Sequence, residues 1–275
     1  MTSQWDNFLG NLGRWRGTFT SLSPSGEVLE STPSLLSLEE VPGERLVRFR
    51  LQRYGPEGTN ALPTNAPPIR DTQQDYRSLG RQVVFFASGS FAKGTLQVAP
   101  GTAGGGEFGF VLGDRRHRLV QLYDAEGRFS GLVLIREFRE GSGALERPPL
   151  EPEQLVGNWR GQAATITADW PEPELAECGI EVTAAGGGSA GGPGLQLRTT
   201  LAGTVSESPA AGAEGQLLLL PDGGWSLTPR QLSHRAPAQL EAGWLAAPDR
   251  MERLIRRFDT SGAWHSSTWI VARPA

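Results

Sequence analysis

Two stretches, Leu12-Gly13-Arg14-Trp15-Arg16-Gly17 and Val156-Gly157-Asn158-Trp159-Arg160-Gly161, repeat one pattern 144 residues apart. A second pair recurs later in each half. Residues 118–127 read Arg-Leu-Val-Gln-Leu-Tyr-Asp-Ala-Glu-Gly, and residues 253–262 read Arg-Leu-Ile-Arg-Arg-Phe-Asp-Thr-Ser-Gly, 135 positions further on. A last apolar run with a late arginine closes each half, Leu132 to Arg136 and Thr268 to Arg273. Matching starts, matching ends and a common order imply a tandem duplication, the second copy being somewhat shorter. The copies are expected at 1–142 and 153–275, with the Gly/Pro-rich segment 143–152 as linker.

Between these landmarks the sequence reads as short strands. Leu46–Tyr54 alternates Val47, Phe49 and Leu51 with Arg48, Arg50 and Gln52, the period of a half-buried strand. Arg14–Ser23, Gln82–Ser88, Glu107–Leu112, Arg118–Asp124 and Phe129–Phe138 read likewise, with turn signals at 23–26, Gly113-Asp114 and 125–127. The Gly-rich runs 101–106 and 184–194 read as loops. Helical spacing is confined to Ser3–Leu12, where Trp5, Phe8, Leu9 and Leu12 share a face and Ser3 is placed to cap. The fold class is therefore all-β, two tandem antiparallel barrels after a short N-terminal helix, with the linker short enough for the two to merge into one unit.

The Gly-x-Trp openings resemble the lipocalin and wider calycin superfamily of up-and-down barrels. There an indole at the start of the first strand plugs the closed end, and an arginine from the last strand packs across it. The resemblance implies that Gly13, Trp15 and Arg136 close the first barrel, and Gly157, Trp159 and Arg273 the second. The whole chain, including its Ser-Gln-Trp-Asp-Asn-Phe-Leu opening and the stretch Gly113 to Gln121, looks like a cyanobacterial family of lipocalin-like tandem barrels of unknown function. That kinship implies a photosynthetic host and carries no activity to transfer. Bilin lyases and fatty-acid-binding proteins share the superfamily at the level of fold alone.

Composition narrows the function classes. A net charge of -4 leaves no basic footprint for nucleic acid. One cysteine, Cys178, excludes an intramolecular disulfide framework and a Cys-cluster metal site. His117, His234 and His265 show no metal-ligand spacing, and no phosphate-binding glycine loop or nucleophile elbow occurs. The opening residues carry no secretory signal and no run is long enough to span a bilayer, so the expected location is the cytosol. The 25 arginines against the single Lys93 read as codon bias.

The candidate ligand contacts are Arg48, Arg50, Phe86, Phe108, Phe110, Arg116, Gln121, Tyr123 and Arg256. The penultimate strands align Leu119, Gln121 and Tyr123 with Leu254, Arg256 and Phe258. If that face points inward, Gln121 and Arg256 are buried polar groups in want of a partner or an acidic ligand. In the alternative, the face is solvated and Val120 and Ile255 point in. Arg48 and Arg50 pose the same choice, an exposed pair being the plainer reading. Phe85, Phe86, Phe91, Phe108 and Phe110 could line a cavity or fill a core, and Cys178 reads as a buried apolar residue or a chromophore-handling thiol. The expected function is binding of an apolar, carboxylate-bearing ligand such as a bilin, a carotenoid or a fatty acid. The alternatives are a bilin-lyase-like chaperone acting on a phycobiliprotein, and an assembly factor with filled barrels. No catalytic residue is assigned.

Overall fold

A computed structural model describes residues 2–55, 66–170, 172–184, 194–208 and 215–275. Most of the low-complexity run read as a loop at 184–194 lies outside the described residues. The N-terminal helix α1 (Gln4–Leu9) starts at a capping box, with Ser3 and Asp6 bonded reciprocally. It stops at Gly10, earlier than the spacing suggested.

Nine strands follow: β1 (Gly13–Leu22), β2 (Val28–Glu40), β3 (Val47–Arg53), β4 (Arg70–Tyr76), β5 (Val83–Phe85), β6 (Phe91–Gly94), β7 (Gly104–Leu112), β8 (Arg115–Tyr123) and β9 (Phe129–Arg139). The run 101–106 is thus only half loop, since β7 begins at Gly104. The second half repeats the series as β10 (Gly157–Thr167), β11 (Glu174–Ala184), β12 (Leu195–Leu201), β13 (Thr204–Ser208), β14 (Gly215–Leu219), β15 (Gly224–Pro229), β16 (Ala238–Ala247), β17 (Arg250–Phe258) and β18 (Trp264–Pro274).

Both sheets have one topology. The first runs β4-β3-β2-β1-β9-β8-β7-β6-β5 and the second β13-β12-β11-β10-β18-β17-β16-β15-β14. Each is an antiparallel meander whose first strand pairs with its last. The ring is interrupted once, between β4 and β5 or between β13 and β14. These are two tandem lipocalin-like barrels, each with one open seam.

The glycines of the Gly-x-Trp-x-Gly motif have separate tasks. Gly13 and Gly157 open their strands at φ 121° and 134°, a region that side chains disfavour. Gly17 and Gly161 lie under the last strand. A Cβ at Gly17 would come within 2.2 Å of the Arg136 carbonyl oxygen, and one at Gly161 within 1.8 Å of that of Val271. Each indole N–H donates to the carbonyl four residues upstream, Trp15 to Asn11 and Trp159 to Leu155, both at 2.9 Å.

The halves share a core. On β7 and β8, Phe108, Phe110, Leu119 and Tyr123 point away from their own barrel. They pack with Leu240, Ala242, Trp244, Leu254 and Phe258 of the second half. Polar groups cross the same interface. Gln121 Nε2 donates to Ser226 Oγ at 3.0 Å and to the Glu241 carbonyl at 2.6 Å. In exchange, Arg256 Nη2 donates to the Gly94 and Thr95 carbonyls at 3.2 and 2.9 Å. Its guanidinium lies 4.7 Å from the centre of the Trp264 ring. Backbone bridges join Gln97 to Ala263 and Arg128 to Gln231. The connecting segment is pinned as well: the Leu150 N–H bonds the Leu220 carbonyl and the Arg147 N–H bonds Asp222 Oδ1.

Neither sequence reading of the Gln121/Arg256 face anticipated this arrangement. The face is fully buried, yet against the other barrel and not within its own. Ile255, on the opposite face of β17, fills the second barrel.

Because a single apolar layer serves both halves, residues 1–142 expressed alone should expose the face of Phe108, Phe110 and Leu119. The fragment is expected to aggregate, or to bind an apolar dye strongly. The intact chain is expected to melt in one calorimetric transition; two well-separated transitions would contradict the shared core.

Candidate functional site

The interior of the first barrel holds a cavity of about 590 Å³, within the usual range for ligand sites. Apolar walls come from Leu36 and Leu38 of β2, Phe49 of β3, Phe85 of β5 and Phe91 of β6, with Tyr76 ending β4. Helix α1 closes one end. Its Phe8 meets Tyr76 edge-on at 5.7 Å and Phe85 at 5.2 Å. Gln4 pairs with the backbone of Phe85 in both directions, at 2.7 and 2.9 Å, so the helix covers part of the free edge of β5. Residues 77–80 and Gln82, which run between β4 and β5 along the open seam, also line the cavity.

Beneath the aromatic wall lies a layer of charge. Arg116 and Arg118 project inward from β8, as alternation requires once Gln121 faces the other half. Glu137 lies opposite Arg116 in the register of β9. Its carboxylate accepts from Arg116 Nε at 2.7 Å and from Arg118 Nε and Nη2 at 3.0 and 3.1 Å. Arg118 Nη1 donates to Glu107 at 2.8 Å, and Lys93 stands 3.8 Å from that carboxylate. Burial alone would raise the Glu137 carboxyl, but the two guanidinium charges outweigh it and hold it below its ordinary range. Burial pulls the Arg116 guanidinium below its ordinary value, with Glu137 opposing.

Arg116 is the anomaly. Its side chain is only 3% exposed and lines the cavity. Nη1 has one long contact, 3.4 Å to Asn11 Oδ1. Nη2 is buried and has no hydrogen-bond partner among the described residues. A guanidinium donor left bare in a buried site is costly unless something else accepts from it.

The barrel-closing arginines need correction. Trp15 is covered by Arg139, 4.4 Å from its ring centre, and by Arg116 at 4.8 Å. Arg136 faces the other side of β9, where it pairs with Glu146 and bonds Thr20 Oγ1 at 3.0 Å. The reason is strand register: Arg139 is the residue opposite Trp15, whereas Arg136 lies opposite Thr18. In the second half Pro274 takes the place opposite Trp159, and Arg273 turns out to solvent to pair with Asp249.

The two interiors have diverged. Arg118–Glu107 has its counterpart in Arg253–Glu241, at 2.7 Å and wholly buried. The paired positions Arg116 and Glu137, by contrast, become the paired positions Met251 and Ala272. Met251 packs with Trp159, Trp225 and Ile255 in the second core.

Of the candidate ligand contacts read from sequence, only Arg116 lines the cavity; of the phenylalanines read as a possible cavity wall, Phe85 and Phe91 line it as well. Arg48 and Arg50 point outward and pair with Asp75 and Asp71. Phe86, Phe108, Phe110, Gln121, Tyr123 and Arg256 belong to the layer between the halves, with Phe86 stacked on Trp269 at 6.0 Å. Tyr123 donates to the Pro229 carbonyl at 2.8 Å. Cys178 sits in the second core at 5% exposure, and burial raises its thiol above its ordinary value, unlike a reactive nucleophile. Sequence reasoning missed Arg118, Glu107 and Glu137. The signal available was the spacing of two between Arg116 and Arg118 along β8 and the shared Arg-Leu at 118 and 253.

The family model for the N-terminal part of a domain of unknown function, DUF3598, matches residues 1–142. A crystal structure of a DUF3598 protein of unknown function from Nostoc punctiforme PCC 73102 is 36% identical, with a TM-score of 0.85 and 100% of each chain covered. This chain belongs to the DUF3598 family. Residues 146–274 of this DUF3598 member also match the C-terminal domain of "Biogenesis factor required for ATP synthase 1". An S-type phycobiliprotein lyase, CPES from Guillardia theta, aligns at 14% identity and a TM-score of 0.32, over 45% of this chain and 90% of that one. No curated protein matches. Among the described residues, no helix is long and apolar enough to cross a membrane.

Glu137 supplies a test of the ionic layer. Its carboxyl is held low in the folded state, so its stabilisation is present above the ordinary carboxylate range and is lost as pH falls through the folded value. Glu137→Gln should cost about 3–5 kcal/mol at pH 7, as expected for breaking a buried pair. It should also flatten the loss of stability on acidification, measured by urea unfolding at neutral and acid pH.

Proposed function

We propose that the first barrel is a binding cup for an apolar molecule with an anionic head, and that the second barrel is its scaffold. The observation that carries this reading is the cavity walled by Phe8, Phe49, Tyr76, Phe85 and Phe91 with the nearly buried guanidinium side chain of Arg116 in its lining. Apolar walls supply affinity through burial, and one buried cation supplies orientation. The cation is already desolvated, so an anion meeting it forms a charge-assisted bond without further burial of the arginine.

The scaffold role follows from what fills the second barrel. Met251, Trp225 and Ile255 occupy its interior, and its outer face covers the outer face of β7 and β8. Pigments and lipids are the ligand classes in view, and the cytosol is the expected setting. A second reading, as a chaperone or assembly factor, is favoured by the match of residues 146–274 to a biogenesis factor's C-terminal domain. The two are compatible if the cup delivers its cargo to a partner such as a phycobiliprotein. A lyase-like variant of that role would use the partner's thiol, since Cys178 is shut in the second core.

Arg116→Met copies the second barrel's own solution and leaves Glu137 paired with Arg118. With 1-anilinonaphthalene-8-sulfonate as probe, the wild-type chain should bind one equivalent. The variant should bind about 10–100-fold more weakly, the worth of one charge-assisted bond, with a similar melting temperature. Absence of wild-type binding, or equal affinities, would refute the cup.

A further inference from the structure

Resting on that reading, we infer that the occupant enters and leaves the cup through the seam between β4 and β5, that residues 77–82 form the door, and that the second barrel latches it. Exposure along the cavity wall marks the mouth. Leu36, Leu38, Phe85 and Phe91 line the cavity and are buried. Gln74 and Asp75 of β4, and Arg77, Ser78, Gly80 and Gln82 after it, line the same cavity and are exposed. The ring of strands is interrupted at this point. The wall there is a coil and turn segment and not a strand.

The door is held less firmly than the other covers of the cavity. The Val83 N–H bonds its Gly80 carbonyl at 3.2 Å and the Gly94 N–H bonds its Gln82 carbonyl at 3.0 Å. Arg77 pairs with Glu44 at the exposed rim. Helix α1 is fixed from buried side chains: besides the Gln4 pair, Asn7 Nδ2 donates to the Phe85 carbonyl at 3.1 Å and Asn11 Nδ2 to the Gly89 carbonyl at 2.8 Å. Trp15, under two guanidinium groups, shuts the floor. Segments with exposed backbone bonds and few buried contacts open first.

Leu79 gives the door two resting places. Closed, it packs against the apolar cluster of Phe8, Phe85 and Phe91. On the outer side, Leu79, Gly80 and Val83 border a groove of about 270 Å³ whose far wall is Ile166, Ala168 and Trp264 of the second half. An outward turn of the door carries Leu79 from one apolar seat toward another, which keeps the cost of opening low. The latch spans this groove: Arg81 Nη2 donates to the Ala168 carbonyl at 3.2 Å and ties the door to the second barrel. The second barrel thereby acts on exchange, although the described lining of the cavity comes from the first half alone.

The test is stopped-flow exchange of 1-anilinonaphthalene-8-sulfonate on the full chain. Arg81→Ala removes one exposed latch bond. Association and dissociation should both speed up by about 3–10-fold, the worth of one hydrogen bond, with Kd within about twofold of the wild-type value. Asn7→Ala, which loosens α1, should leave both rates near those of the wild-type chain. A second measurement needs no variant. With the dye at about 10 Kd, the Val83 and Gly94 amides, which bond the door's carbonyls, should exchange hydrogen about 10-fold more slowly. Unchanged rates in Arg81→Ala, a change in one rate alone, equal acceleration by Asn7→Ala, or unaltered exchange at Val83 and Gly94 overturns the door and leaves a binding cup. Failure of the wild-type chain to bind the dye overturns the cup itself.

Discussion

Strand β17 buries both of its faces and β8 does so except at Leu122, and one alternating sequence on each must therefore satisfy two unlike environments. On β8, Leu119, Gln121 and Tyr123 meet the second barrel, while Arg116 and Arg118 enter the first. On β17, Leu254, Arg256 and Phe258 meet the first barrel, while Met251, Arg253 and Ile255 fill the second. Reciprocal burial of this kind joins the barrels more firmly than a linker could. It also dictates which side chains remain to shape the cup, because a shift of register by one residue would exchange the two sets.

Duplication produced two barrels that solve their interiors differently. Both retain an ion pair from the penultimate strand, Arg118 with Glu107 and Arg253 with Glu241. A buried pair of this kind is poor evidence for stability, since well-packed apolar residues of similar size often serve as well. The second barrel makes that replacement at the neighbouring pair, with Met251 and Ala272. The first keeps Arg116 and Glu137 there, and keeps a guanidinium nitrogen without a hydrogen-bond partner among the described residues. The first interior thus combines a charged layer with a cavity that packing has not closed, where the second has an apolar pair and a filled core.

The tryptophan plug shows the same division of labour on a smaller scale. Gly-x-Trp is legible because backbone geometry demands it: φ is positive at Gly13 and Gly157, and the indole N–H reaches the carbonyl four residues upstream in both copies. The guanidinium above the indole was not assigned correctly. Several arginines end the last strands, and the one that covers Trp15 is chosen by cross-strand register. Strand β4, with its sequence Arg-Asp-Thr-Gln-Gln-Asp-Tyr, was invisible for a related reason. It is an exposed edge, so no apolar alternation marks it.

The sequence by itself determined the local and repeated features: an all-β chain, its duplication, the capped N-terminal helix and the two Gly-x-Trp openings. These depend on backbone conformation and on period-two burial, which neighbouring residues reveal. Only the tertiary structure decided which buried face belongs to a cavity and which to the other barrel. Alternation states that two faces differ, but not what covers each. Gln121 and Arg116 are both polar residues on β8, and the packing of one sheet against another makes one a contact between the barrels and the other part of a cavity lining.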